Sequence, residues 1–287
     1  MNQITGKTMI CGIIGDPVEH SMSPVMHNAA FEALGLDYVY LPFHVRGEEL
    51  KEAINGMRAL NIAGLNVTIP HKMAVIPFLD KLDPLAERMG AVNTIANENG
   101  ELTGCNTDAF GFLPALRSQG VEPDGKSIVI LGAGGAAKGI SFILAGAGAR
   151  LVILNRTLSR AEELASQVAQ YYHRKIEAMI LNEANLKRAF EKADVLVNTT
   201  SVGMVPDVDL TPVPGNLLDS RLAVSDIVYN PLETRLLREA KAAGARTING
   251  LDMLVWQGVL AFEKWTGQKA PFEIMKQAAL KALRNEK

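Results

Sequence analysis

The run Ser127-Ile128-Val129-Ile130-Leu131, followed at once by Gly132-Ala133-Gly134-Gly135-Ala136-Ala137, constrains the fold of this chain more than any other stretch. The first five residues are β-rich and read as a buried strand. A helix-like stretch then runs on to Gly148. Between them stands G-x-G-x-x-A, placed after a strand and opening a helix, which is the setting in which that spacing binds a dinucleotide. The first glycine allows the turn, the second lets the backbone approach a pyrophosphate, and the helix N-terminus faces the anion. Gly132, Ala133, Gly134, Gly135 and Ala136 are therefore candidate cofactor contacts in a Rossmann-type α/β domain.

The next strand covers residues 150–154. An NAD-dependent enzyme usually keeps an acid at its end for the ribose 2′-hydroxyl. Here stand Asn155-Arg156-Thr157, then Ser159-Arg160. Two guanidinium groups in place of an acid suit a 2′-phosphate, through charge-assisted hydrogen bonds, so the pattern points to NADP over NAD. Arginine in a first helical turn also opposes the helix dipole, so a decorative role explains the pair poorly. Further strands read over 193–198, 222–228 and 246–248, with a helix over 232–243. Gly250 opens a long apolar helix that carries Gln257 beside Trp256, and 272–283 reads as a last amphipathic helix.

The N-terminal third alternates strand and helix: strands over 9–14, 38–45 and 62–67, helices after Pro24 and over 48–60. That order implies an open, mostly parallel sheet. Ser23 before Pro24 reads as an N-cap with proline at the first helical position, and Val25, Ala29, Ala30 and Leu34 fit one face of that helix. Ser21 is left without such a structural explanation. The third strand ends in Asn66-Val67-Thr68-Ile69-Pro70-His71-Lys72, where Pro70 blocks the ladder. Strand ends of this kind bind ligands, and a lysine there can donate a proton when its environment lowers its pKa. His71 reads as structural, since adjacent positions on a helix start point in different directions.

Asn99-Gly100 between two short alternating runs signals a hairpin. If these are the two loop residues, Glu98 faces Glu101 and Asn93 faces Asn106. Thr107-Asp108 then sits at the same end as Asn93. Asp108 also precedes an apolar pattern of Phe110, Leu113 and Leu116, where it would serve as an ordinary N-cap.

Composition narrows the function classes. At 287 residues, with 48% hydrophobic side chains, the chain supports a large core and two domains. A net charge of −2 without a long basic run argues against nucleic acid or an anionic membrane as partner. Cys11 and Cys105 form no paired motif and no zinc spacing, so no metal is expected, and reduced thiols suit a cytoplasmic protein. No apolar stretch approaches the ~20 residues of a membrane span. No boundary is sharper than the polar turn at Gly120–Gly125.

In their order and spacing, Ser21-Met22-Ser23-Pro24, Asn66 to Lys72, Ala91-Val92-Asn93-Thr94, Gly104-Cys105-Asn106-Thr107-Asp108, the glycine loop, Asn155-Arg156-Thr157 and Asn249-Gly250-Leu251-Asp252-Met253 resemble the shikimate dehydrogenase family. The resemblance covers nearly the whole chain. It implies an N-terminal substrate-binding and catalytic α/β domain over 1–110, completed by 255–287, and an NADP-binding Rossmann domain over 111–254. The site would lie in the cleft between them. The implied reaction is reduction of 3-dehydroshikimate to shikimate with NADPH, on the route to chorismate and the aromatic amino acids. Position by position, Lys72 and Asp108 look like the catalytic pair. Ser21, Ser23, Thr68, Lys72, Asn93, Asp108, Tyr229 and Gln257 look like substrate contacts. The glycine loop, Asn155, Arg156, Thr157, Arg160, Ile227 and Gly250 look like cofactor contacts. Some relatives carry an acid further on from the lysine; this chain has Pro84 there, with Asp83 beside it, so that role stays open. The alternatives are a quinate/shikimate dehydrogenase using NAD, a folate-linked dehydrogenase of the same plan, and a non-catalytic regulator that senses shikimate-like molecules. Oligomeric state is open, a homodimer included.

Overall fold

The computed structural model describes residues 4–285. The chain divides into two compact units, one of residues up to Gly111 together with those from Val255 onward, the other of Phe112–Leu254.

In the first unit β1 (Met9–Gly15), α1 (Ser23–Ala33), β2 (Tyr38–His44), α2 (Leu50–Ala59) and β3 (Gly64–Val67) alternate as the apolar patterning requires. Then come the one-turn helix α3 (His71–Ala74), β4 (Lys81–Leu82), α4 (Pro84–Met89), the hairpin β5 (Thr94–Glu98) and β6 (Glu101–Cys105), and α5 (Thr107–Ser118), inside which the first unit ends. The sheet order is β2-β1-β3-β5-β6-β4. β1 runs parallel to β2 and β3, while β5 is antiparallel to both β3 and β6. The carboxyl ends of β1, β3 and β6 and the amino end of β5 therefore share one edge of the sheet. Leu65, Val67, Ile95 and Leu102 pack with Leu50, Ile54 and Met57 of α2. Burying each of these side chains contributes about 1.5–3 kcal/mol.

The second unit contains β7 (Ser127–Leu131), α6 (Gly135–Gly146), β8 (Arg150–Asn155), α7 (Leu158–Tyr172), β9 (Glu177–Ile180), α8 (Glu183–Phe190), β10 (Val195–Asn198), β11 (Ala223–Asp226), α9 (Arg235–Ala242) and β12 (Arg246–Ile248). Its sheet is parallel throughout and ordered β12-β11-β10-β7-β8-β9. This is the doubly wound order, and the direction of winding reverses between β7 and β10, where such sheets bind ligands beyond their carboxyl ends. Val129, Leu131, Leu154, Leu196 and Val224 form its core with Leu236 and Leu237 of α9. Two helices close the chain: α10 (Gly250–Thr266), which crosses from the second unit into the first, and α11 (Phe272–Asn285), which packs on α1.

Several local expectations are corrected. The N-cap of α1 is Met22, not Ser23, and it makes no side-chain cap. Ser21 Oγ instead accepts from the Ser23 N–H at 3.2 Å, so a serine does hold this helix start, two residues earlier than expected. The buried face of α1 is Met26, His27, Ala30 and Phe31, while Val25 and Leu34 are exposed. In α5, Phe110 is exposed, and Ala109, Phe112, Ala115 and Leu116 are buried. Both helices have apolar residues on more than one side, so the sequence did not single out the face that packs. β4, α4, β9 and α8 had no counterpart in the sequence reading. They are short, from two to eight residues each.

Candidate active site

Lys72 and Asp108 are thirty-six residues apart in sequence, and their side chains meet: Lys72 Nζ donates to Asp108 Oδ2 at 2.6 Å. Two main-chain anchors put Lys72 there. After β3, His71 N bonds to Thr68 O at 2.9 Å, closing the turn that Pro70 starts, and Val92 N bonds to Lys72 O at 2.8 Å. The second bond ties the lysine to the segment entering β5. Its neighbour His71 is buried, with Nε2 2.6 Å from Val45 O, which makes it a structural residue as expected from its position. His20 is exposed.

Asp108 is placed by the hairpin. Asn99 and Gly100 both have positive φ, at 56° and 92°, and the register pairs Glu98 with Glu101 and Thr94 with Cys105. One step on, Asn93 N bonds to Cys105 O at 3.1 Å, and Thr107 N bonds to Asn93 Oδ1 at 2.6 Å. Asn93 Nδ2 donates to Thr107 Oγ1 at 3.0 Å. Asp108 is not the cap of α5. Asn106 Oδ1 accepts from Ala109 N at 3.2 Å, which leaves the Asp108 carboxylate free to receive Lys72. The pair is about one third exposed on either side (33% and 29%), so solvent reaches it without dissolving it.

Ser21 follows β1, Ser23 opens α1, Thr68 follows β3, Asn93 precedes β5 and Asp108 follows β6. Topology thus brings Ser21, Ser23, Thr68, Lys72, Asn93 and Asp108 to the shared sheet edge. Gln257 belongs to the same unit: a Cβ on Gly111 would stand 2.7 Å from Gln257 N, so α10 passes one turn beyond Asp108. Tyr229 lies in the second unit, one residue after Val228, whose N–H is fixed on the buried Asp226 carboxylate.

Asp83 has both carboxylate oxygens engaged. Oδ1 caps α4 through Leu85 N and Ala86 N at 2.9 Å each, and Oδ2 accepts from Asn106 N at 3.2 Å. It is a brace for the turn into Asp108. Burial pushes the Cys105 thiol up to about 12, and raises Cys11 as well, so neither is a nucleophile.

In the second unit the glycine loop leaves β7 at the switch point. Gly132 has φ +107°, and a Cβ there would lie 2.7 Å from Thr199 Oγ1 after β10. Gly134 and Gly135 have open space where a Cβ would stand, and Gly134 begins α6 with no side-chain cap. Packing explains the first glycine, and the other two leave room for an external group. The uncapped N–H groups beside them suit an anion such as a phosphate. Arg156 and Arg160 are exposed beyond β8, and neither guanidinium has a partner among the described residues. Asn155 Nδ2 donates to Thr157 O at 2.9 Å, shaping the turn that carries them. Ile227 and Gly250 are in contact, since a Cβ on Gly250 would run into the Ile227 carbonyl. These residues fit a dinucleotide with an extra phosphate.

Comparison with known proteins decides the family. Residues 13–95 match the shikimate dehydrogenase substrate binding domain, 116–205 the shikimate / quinate 5-dehydrogenase family, and 250–280 the shikimate 5'-dehydrogenase C-terminal domain. Shikimate dehydrogenase (NADP(+)) of Methanopyrus kandleri is 51% identical over 284 residues, which is 98% of each chain. The chain belongs to the shikimate dehydrogenase family. Among solved structures of this family, shikimate 5-dehydrogenase from Listeria monocytogenes, in complex with shikimate and NAD, aligns with a TM-score of 0.92 at 41% identity, covering 96% of this chain and 98% of that one. The Thermus thermophilus enzyme in complex with NADP(H) and shikimate aligns at 0.86 and 41% identity, covering 96% and 99%. The open α/β first unit and the Rossmann-type second unit are the architecture of this family.

Some residues that shape the site carry little signal of their own in the sequence. Thr107 serves Asn93 from both its N–H and its hydroxyl, and Asp226 joins the ends of β10 and β11. Thr107 was legible only as a neighbour of Asp108, and Asp226 as one more residue of a strand.

Proposed function

We propose that this protein catalyses the reversible reduction of 3-dehydroshikimate to shikimate with NADPH, in the route to chorismate and the aromatic amino acids. The observation that carries the reading is the Lys72–Asp108 contact at 2.6 Å on the strand-end edge that also holds Thr68 and Asn93. NADPH, when bound, supplies the hydride to the ketone carbon. Negative charge then develops on the ketone oxygen, and the Lys72 ammonium is the group that donates a proton to it. Such general-acid help is worth roughly 10²–10⁴-fold. Asp108 orients the ammonium and accepts a hydrogen bond from a substrate hydroxyl. Because the two groups touch, a pH–rate profile reports the pair.

A polyhydroxylated ring needs neutral donors and acceptors, which Ser21, Ser23, Thr68, Asn93, Tyr229 and Gln257 provide. Leaving one such partner unmatched in a dry site costs about 1–3 kcal/mol, which makes these side chains specificity determinants. The glycine loop and the α6 N-terminus hold the pyrophosphate, with Asn155, Thr157, Ile227 and Gly250 around the rest of the cofactor. Arg156 and Arg160 hold the 2′-phosphate and favour NADP over NAD. The net charge of −2 supports small-molecule ligands and no nucleic acid. Among the described residues no helix is long and apolar enough to cross a membrane. The two buried thiols suit the cytoplasm, and a homodimer is checked by solution mass.

The test is shikimate oxidation with NADP or NAD, followed by the absorbance of the reduced nicotinamide, for wild type, Lys72→Ala and Asp108→Ala. The expected result is NADP-preferred turnover that falls by roughly 10²-fold or more in both variants. A wild type that binds shikimate and never reduces NADP overturns the enzymatic reading in favour of a sensor. Quinate with NAD running equally fast moves the function to the quinate-using relative.

A further inference from the structure

We propose that Asp226 is a positioning residue: its buried carboxylate locks the loop that carries Ile227 and Tyr229 to the loop that backs the glycine turn. This rests on the reading above that Ile227, Gly250 and the glycine loop meet the cofactor and that Tyr229 meets the substrate.

Asp226 is the last residue of β11, in register with Asn198 at the end of β10, and both are fully buried. Three donors converge on the carboxylate. Asn198 Nδ2 (3.0 Å) and Val228 N (3.1 Å) reach Oδ1, and Thr234 Oγ1 (2.7 Å) reaches Oδ2. The chain reaches outward in two directions. Asn198 Oδ1 accepts from Thr200 N at 3.0 Å and Thr200 Oγ1 at 2.7 Å. Thr199 and Thr200 are the residues against Gly132, where an added Cβ would lie 2.7 Å from Thr199 Oγ1 and 3.2 Å from Thr200 Cγ2. On the other side, fixing Val228 N sets the peptide whose neighbouring carbonyl, that of Ile227, lies against Gly250. One carboxylate therefore couples the turn at Gly132, the loop from Ile227 to Tyr229, and the start of α9.

A carboxylate suits this post because it accepts on both oxygens and brings no N–H of its own into a site crowded with donors. An unpaired acid buried at a strand end would be expensive, and the three donors offset that cost. The placement at the ligand-binding edge, next to the point where the winding reverses, gives that work a target.

The experiment measures NADPH affinity by fluorescence titration, shikimate affinity, and the kcat and KM values for Asp226→Asn, Asp226→Ala and Asn198→Ala. Asp226→Asn keeps Oδ1 for two donors, and its amide can donate to the Thr234 hydroxyl, so it is expected within about threefold of wild type. Asp226→Ala strands three donors. It is expected to weaken NADPH binding about tenfold or more, to lower kcat, and to weaken shikimate binding by a smaller factor through the loosened Tyr229 loop. If Asp226→Ala does not fold, Asn198→Ala removes one donor from the carboxylate together with the tie to Thr200 and leaves Val228 N and Thr234 Oγ1 in place, and a weakening of NADPH of about threefold or more is expected. A folded Asp226→Ala, or in its absence Asn198→Ala, with wild-type NADPH affinity and kcat overturns the proposal, and so does an Asp226→Asn as impaired as Asp226→Ala. NADPH binding is read without turnover, so a wild type that binds NADPH and fails to oxidise shikimate counts against the function and leaves this test standing.

Discussion

Acid should destabilise the first unit through a single buried histidine. His27 lies on α1 with no exposed surface, and neither ring nitrogen has a hydrogen-bond partner. Its ring stacks on Tyr40 at 4.5 Å and 3°, with Phe262 at 6.3 Å and Trp265 at 5.3 Å. Burial in this aromatic box pushes its pKa down from 6.5 to about 3. Between those values the unfolded chain holds a proton that the folded chain refuses, so stability rises with pH there and is lost as pH falls. At 1.36 kcal/mol per unit, the full loss by pH 3 is about 5 kcal/mol, and about 3 kcal/mol is gone by pH ~4.5. Against a typical folding free energy of about 5–15 kcal/mol this is a large share. The perturbation is His27→Phe, which keeps a ring against Tyr40 and removes the proton site. The assay is urea unfolding at about pH 7.5 and 4.5 followed by tryptophan fluorescence. Both tryptophans of the chain, Trp256 and Trp265, lie in the first unit, so the signal reports on it. Other carboxylates titrate equally in both proteins and cancel in the comparison. Wild type should lose about 3 kcal/mol more than His27→Phe over this range. Equal losses would refute the reasoning.

Asp226 should act with the opposite sign in the second unit. Burial raises its carboxyl from 3.8 to about 6, so the folded state holds the proton more tightly and stability falls as pH rises from about 4 to 6, by about 3 kcal/mol. Asp226→Asn should flatten that limb, read by hydrogen exchange of β10 and β11 amides. Arg156→Ala should raise KM for NADP by about tenfold or more while leaving KM for NAD within about twofold, since only the 2′-phosphate distinguishes them. Gly132→Ala should cost about 1–3 kcal/mol, because its φ of +107° and the Thr199 contact both oppose a Cβ, and a fall in Tm measures it. Asp83→Ala should destabilise by about 1–2 kcal/mol through the lost cap of α4 and lower kcat through the loosened Asn106 turn, with Asp83→Asn recovering part of both.

Much of this protein was legible in the chain because its signals are local. A strand running into Gly132-Ala133-Gly134-Gly135 needs no tertiary context to be read, and neither does Asn99-Gly100, whose two-residue turn fixed the pairing of Glu98 with Glu101 and so brought Asn93 to Thr107 and Asp108. The same local chemistry showed the arginines after β8 where an acid would otherwise stand. Tertiary structure alone decided which faces were buried and which polar groups were spent. Ser23 had the residue type of a cap, yet Ser21 supplies the bond, because helix onset depends on backbone geometry as well as on residue type. Asp108 looked like a cap until Asn106 took that role and released it to Lys72. His27 and Asp226 gave no signal at all. A histidine becomes hard to protonate, and an aspartate becomes the meeting point of three donors, only when distant segments close around them and exclude the water that would otherwise set their pKa.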